Sequence, residues 1–164
     1  MRHTGYKNAF SLPEVLIAVI LVGIAIASLI VANRSLTQAN SAGTNISTAE
    51  FLIEQIRELT VLLPIVDPQT QMSTFGPEAG ETYLIGYDDL DDFDGANFSP
   101  PISAEKQTLN DFAAFRQQIT VENVNSSNFE QVVADHTSSF VKVTVKILLN
   151  SKPISSASWI RARY

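Results

Sequence analysis

The sequence contains no cysteine. That excludes a disulfide framework, a thiolate metal site and a thiol nucleophile. Histidine is nearly as scarce: His3 lies in the short polar segment at the start, and His136 stands alone in a polar stretch. No histidine pair with zinc-ligand spacing is therefore present, and neither a Gly-x-Ser-x-Gly elbow nor a Walker phosphate loop is spelled out. The chain reads as non-enzymatic. Basic residues are also few. The 11 Lys and Arg face 17 Asp and Glu, for a net charge of −6. Setting aside Arg2 and Lys7 leaves nine basic residues against 17 acidic ones. An acidic body of this kind repels phosphate backbones, which argues against nucleic-acid binding over a broad surface. Lys142, Lys146, Arg161 and Arg163 are the only candidates for a local basic patch.

What the chain does have is one long apolar run. Val15 to Asn33 is 19 residues without a charge, a length that meets the requirement for crossing a bilayer as a helix. The short positive segment before it holds that end in the cytoplasm and directs the remainder to the other side. Glu14 stands at the start of the run. A carboxylate within a membrane segment costs about 2.5 kcal/mol or more at the centre and less near the edge, so it needs either a partner or a path to water. Three readings of the run compete. It is a secretory signal cut after the small-x-small triplet Ala25-Ile26-Ala27, or an uncleaved anchor, or a segment retained after a leader is cut off ahead of it.

The residues around the start of the run favour the third. Ala9-Phe10-Ser11-Leu12-Pro13-Glu14-Val15 resembles the cleavage and methylation motif of type IV prepilins, and the resemblance extends over residues 9–33. In that family a small residue, usually Gly, precedes the cut; Ala9 occupies that place here. The resemblance implies cleavage between Ala9 and Phe10, N-methylation of Phe10, and a role for Glu14 in assembly through the Phe10 amine of a neighbouring subunit. It also implies the partners: other pilin subunits, a prepilin peptidase and an inner-membrane assembly platform. The subunit would sit in the bacterial inner membrane, single-pass with a periplasmic C-terminus, and then enter a pilus or pseudopilus fibre. The lack of a C-terminal disulfide loop favours a minor pilin or pseudopilin. The alternative is a membrane-tethered or secreted binding domain, calcium-dependent, behind a conventional signal.

The resulting division is a leader over 1–9, a membrane or fibre-core half-helix over 10–33, a second half-helix over 34–63 and a head over 64–164. Residues 33–48 are mediocre helix formers with Gly43 among them, so a continuous helix and a break both remain open. Ala49, Leu52, Ile53, Ile56, Leu59 and Leu63 share one helical face, and Pro64 stops the helix. A continuous helix from Phe10 to Leu63 would span roughly 80 Å. Residues 64–82, with three prolines and two glycines, read as loop, and Tyr83–Tyr87 as a short strand.

Next comes the cluster Asp88, Asp89, Asp91, Asp92 and Asp94, five aspartates in seven positions. It does not fit an EF-hand, because Gly95 at the sixth position puts Leu90 at the first and Pro101 at the twelfth. Two readings stand: a solvated acidic turn, or a calcium site, calcium being the one cofactor the sequence suggests. The cluster is similar to the Asp-rich loop of minor pilins of the mannose-sensitive haemagglutinin type. Residues 103–114 are a short helix or a loop. The C-terminal third is β: Phe115–Val124, then Phe140–Leu149, where Val141, Val143, Val145 and Ile147 alternate with Lys142, Thr144 and Lys146, then a turn at Asn150–Pro153 and a strand over 154–163. The expected fold is α+β: a long N-terminal helix whose second half packs on a C-terminal antiparallel meander of three or four strands.

Overall fold

A single helix, α1 (Leu12–Thr60, 49 residues), accounts for the first part of the chain in the computed structural model. The structure describes residues 10–65, 67, 76–77, 80–135 and 137–163. Beyond α1 lie strands β1 (Asn97–Phe98), β2 (Phe115–Asn125), β3 (Asn128–Val132), β4 (Phe140–Leu149) and β5 (Lys152–Ala162), with single 3-10 turns at Asp91–Phe93 and Asn110–Phe112. The chain divides into two units, Met1–Thr44 and Asn45–Tyr164.

In the first unit, α1 starts with half of a capping box, the Glu14 carboxylate reaching back to Ser11. Ser11 precedes the helix, and its N–H and hydroxyl both face Glu14 Oε2 at 3.4 Å, while Glu14 N and Val15 N donate to the Ser11 carbonyl. Pro13 lies in the first turn, where its missing N–H leaves no hydrogen bond unmade. The helix runs through Gly43 without interruption. Its weak helix formers are accommodated locally: the Ser28, Thr37 and Thr44 hydroxyls each donate to the carbonyl four residues earlier, at 2.9, 3.0 and 3.0 Å. Every residue from Phe10 to Thr44 is exposed.

In the second unit, the end of α1 buries Ala49, Leu52, Ile53 and Ile56 against the sheet. Leu59 and Leu63, on the same face, are only partly buried, because the helix stops at Thr60 and the chain turns ahead of Pro64. The sheet order is β1-β2-β4-β5, with β3 pairing the far end of β2. All the strand pairs are antiparallel, and β2 aligns with β4 from Phe115↔Leu149 to Asn123↔Val141. The alternation in β4 sends Val141, Val143, Val145 and Ile147 into the core together with Ile119 and Val121 of β2. The β4–β5 hairpin turns on Asn150 and Ser151, both left-handed at φ 49° and 65°, the geometry that matches the twist of the flanking strands.

The sheet thus has five strands rather than three or four. β1 and β3 are short and carry no long apolar alternation, so they depend on β2 for their pairing. Tyr83–Tyr87 is not a strand. Gly86 N donates to Tyr83 O at 2.8 Å and Tyr87 N to Leu84 O at 3.3 Å, closing a turn. Gly86 is packed so tightly that a Cβ there would lie 3.1 Å from Glu81 Cα. The 103–114 segment is a turn followed by the 3-10 turn at Asn110–Phe112, not an α-helix.

One polar side chain joins helix, loop and sheet. Gln117, fully buried on β2, donates through Nε2 to Leu52 O at 2.9 Å and Ile102 O at 3.1 Å, and accepts from Ile102 N at 2.8 Å. Gln117→Ala leaves a cavity and strips the partner from buried backbone groups. The expected loss is about 2–4 kcal/mol of unfolding free energy. Urea denaturation of the full chain in detergent measures it, and a loss under about 0.5 kcal/mol would mean that water satisfies those groups equally well.

Candidate functional site

Two places in the chain concentrate chemistry. The first is the start of α1. Phe10 is exposed just ahead of the capping box, and Glu14 sits in the first turn with its carboxylate folded back on Ser11. Ala9, the other residue of the expected cleavage site, lies outside the described residues, as do His3 and His136. From Val15 to Val31 the large apolar side chains are all roughly half to two-thirds exposed, all around the helix. α1 is long and apolar enough to cross a membrane, and none of its most apolar stretch is covered. An uncovered apolar surface of this extent marks a segment made for lipid or for other helices.

The second place is the acidic loop. It is not a solvated turn: Asp89, Asp91 and Asp92 are 0–1% exposed. The physical reason lies between the charges. Leu90 and Phe93, three apart in the 3-10 turn, are both completely buried and carry the flanking aspartates inward with them. Phe93 meets Tyr87 edge-on at 5.2 Å and Phe98 at 6.5 Å. The loop is tied down on both sides, since Leu90 N donates to Pro64 O at 2.9 Å and Val121 N of β2 donates to Asp94 Oδ1 at 2.8 Å. Gly95 follows at φ 71°, a left-handed turn that glycine accepts without strain.

Within the loop, backbone N–H groups orient the carboxylates. Asp92 N donates to Asp89 Oδ1 at 3.2 Å, while Asp88 N and Asp89 N donate to Asp92 Oδ2 at 2.9 and 3.2 Å. Two groups of carboxylates result, each with oxygens within 4.8 Å of one another: Asp89, Asp91 and Asp92, and Glu81, Asp88 and Asp92. Asp94 belongs to neither, its Oδ1 being engaged by β2. Glu81, absent from the sequence expectation, joins because the turn at 83–87 folds back. Burial pushes the Asp92 carboxyl up to about 7. The N–H donated by Asp89 opposes this, a hydrogen bond with Glu81 and the Asp89 charge add to it, and the Asp88 N–H again opposes it. Asp88 is raised by burial, then by Glu81, Asp67 and Asp89, with Lys106 pulling it down. Tyr87 is raised by burial and by the charges of Asp92 and Glu81. Chemically, such a cluster either shares protons or takes up a hard cation.

The C-terminal basic residues do not assemble into a patch. Arg161 donates to Thr60 O at 2.6 Å and Leu63 O at 3.0 Å, closing the end of α1, and Lys142 lies 3.8 Å from both Glu122 and Glu130. Arg161 escapes sequence reasoning because its partners are backbone carbonyls about a hundred positions away. The Ser11–Glu14 cap does have a signal, the Ser-x-x-Glu spacing.

No family model matches the chain, and searches of curated proteins and of solved structures return no match.

Proposed function

We propose that this chain is a structural subunit of a type IV pilus or a related secretion filament, a minor pilin or pseudopilin. In this reading it is cut between Ala9 and Phe10, methylated on Phe10 and assembled through α1. A single observation carries it: Phe10 and Glu14, in prepilin spacing, open a helix whose apolar half is entirely uncovered. Before assembly that half lies in the inner membrane, with the 45–164 unit on the periplasmic side. After assembly it lies among the equivalent helices of other subunits. The work is mechanical and non-catalytic, and the partners are the peptidase, the assembly platform and neighbouring subunits. The acidic body disfavours a nucleic-acid partner.

The mature N-terminus tests this directly. When the full chain is co-expressed with a prepilin peptidase, intact-mass and N-terminal analysis should find a chain that starts at N-methylated Phe10. A start at Ser28, or an unprocessed chain, would overturn the reading and favour a conventionally secreted or anchored binding domain.

A further inference from the structure

We infer that Asp89, Asp91 and Asp92 form a binding site for a hard divalent cation, calcium by its chemistry, built into the loop between α1 and the sheet. The inference goes beyond the filament reading and does not depend on it.

Three observations converge. First, the three carboxylates bring one oxygen each within 4.8 Å of one another while being at most 1% exposed. Second, the backbone occupies only one side of two of them. Asp89 Oδ1 and Asp92 Oδ2 accept N–H groups and the Asp92 carboxyl also pairs with Glu81, whereas Asp89 Oδ2 and Asp92 Oδ1 are buried and receive no N–H. A buried carboxylate oxygen with no donor is strongly unfavourable, and two of them in a like-charged cluster call for a positive ligand. Third, Lys106, the cation that acts on Asp88, is committed elsewhere, its Nζ donating to Tyr87 O at 2.6 Å.

The burial selects the ion. Magnesium keeps several waters and is usually held by one or two carboxylates, whereas calcium gives up its hydration shell to six to eight protein oxygens in irregular geometry. Three inaccessible carboxylates suit the second pattern. Asp92 also belongs to the group with Glu81 and the exposed Asp88, so the cluster has an approach from solvent. An ion here would cross-link the loop that joins the end of α1, through Leu90 and Pro64, to β2, through Asp94 and Val121.

The test uses the full chain in detergent, stripped with chelator and titrated with calcium chloride at pH 7.5. Calcium should raise the melting temperature by roughly 5 °C or more at saturation, as expected for a ligand that binds only the folded state. Terbium should give luminescence sensitised through Tyr87, and calcium should displace it. Asp89→Asn and Asp92→Asn remove a buried charge, so each should melt at or above the stripped wild type yet lose the calcium shift. That combination separates a lost site from a lost fold. The proposal is overturned if about 10 mM calcium, well above the weak end of calcium affinities, leaves the wild type unmoved. It is also overturned if magnesium acts as strongly as calcium, if either variant keeps the full shift, or if stability follows pH alone, which would mean that shared protons neutralise the cluster.

Discussion

Glu14→Gln should lower incorporation of the subunit into sheared fibres by at least about tenfold while leaving membrane insertion and leader removal intact. The choice of Gln matters. The Glu14 side chain reaches back to the Ser11 N–H, and Gln makes that contact as well as Glu does. The variant therefore keeps the first turn of α1 and removes only the charge. On the proposed reading that charge meets the amine of a neighbour's Phe10 in an apolar surrounding. Removing one member of such a pair leaves the other buried and alone, at a cost of about 3–5 kcal/mol, or roughly two to four orders of magnitude in the assembly equilibrium. Glu14→Ala loses cap and charge together and should be at least as defective. Quantifying both variants in the fibre and membrane fractions separates the roles. If Glu14→Gln incorporates like the wild type and only Glu14→Ala fails, Glu14 is a helix cap and the ion pair is wrong.

Phe93→Ala should unfold the 45–164 unit more readily by about 3–5 kcal/mol, as for a fully buried aromatic cut back to a methyl group. With total stabilities of about 5–15 kcal/mol, that is a large share. The ring is completely buried, faces Tyr87 and Phe98, and sits in the same 3-10 turn as Asp91 and Asp92. The aspartates are held inside because Phe93 and Leu90 are. Truncation should thus lower the melting temperature by roughly 10–20 °C and also weaken any cation response, since the carboxylates lose their enforced burial. A loss near 1 kcal/mol would mean that the loop repacks without its anchor.

The parts of this fold that can be read from sequence are those where one local pattern decides. The Val141–Ile147 alternation and the Ala49–Ile56 stripe declare their buried faces, because periods of two and 3.6 leave little choice of orientation. The α1 segment at 33–48 is undecided by propensity. Its continuity comes instead from the strong helical segments on both sides, while Thr37 and Thr44 bond back to i−4 carbonyls without interrupting it. Tyr83–Tyr87 misleads because β-formers around Gly86 serve a close-packed turn equally well. The acidic loop misleads more deeply. Its charges suggest solvent, while Leu90 and Phe93, three apart, carry the opposite message. Gln117 and Arg161 have no local signature at all, since their partners are main-chain groups far along the sequence.

On the filament reading, Arg161 bears on how load is carried. Its guanidinium grips the carbonyls of Thr60 and Leu63 from near the end of β5, the strand that pairs with β4 from Phe140↔Ala162 to Leu149↔Lys152. Tension arriving at Thr60 would then have two routes onward: along the covalent chain, and across this clasp straight into β5. The second route would load the β4–β5 ladder, where many hydrogen bonds share the force. In a filament, β5 would act as a strain relief for α1.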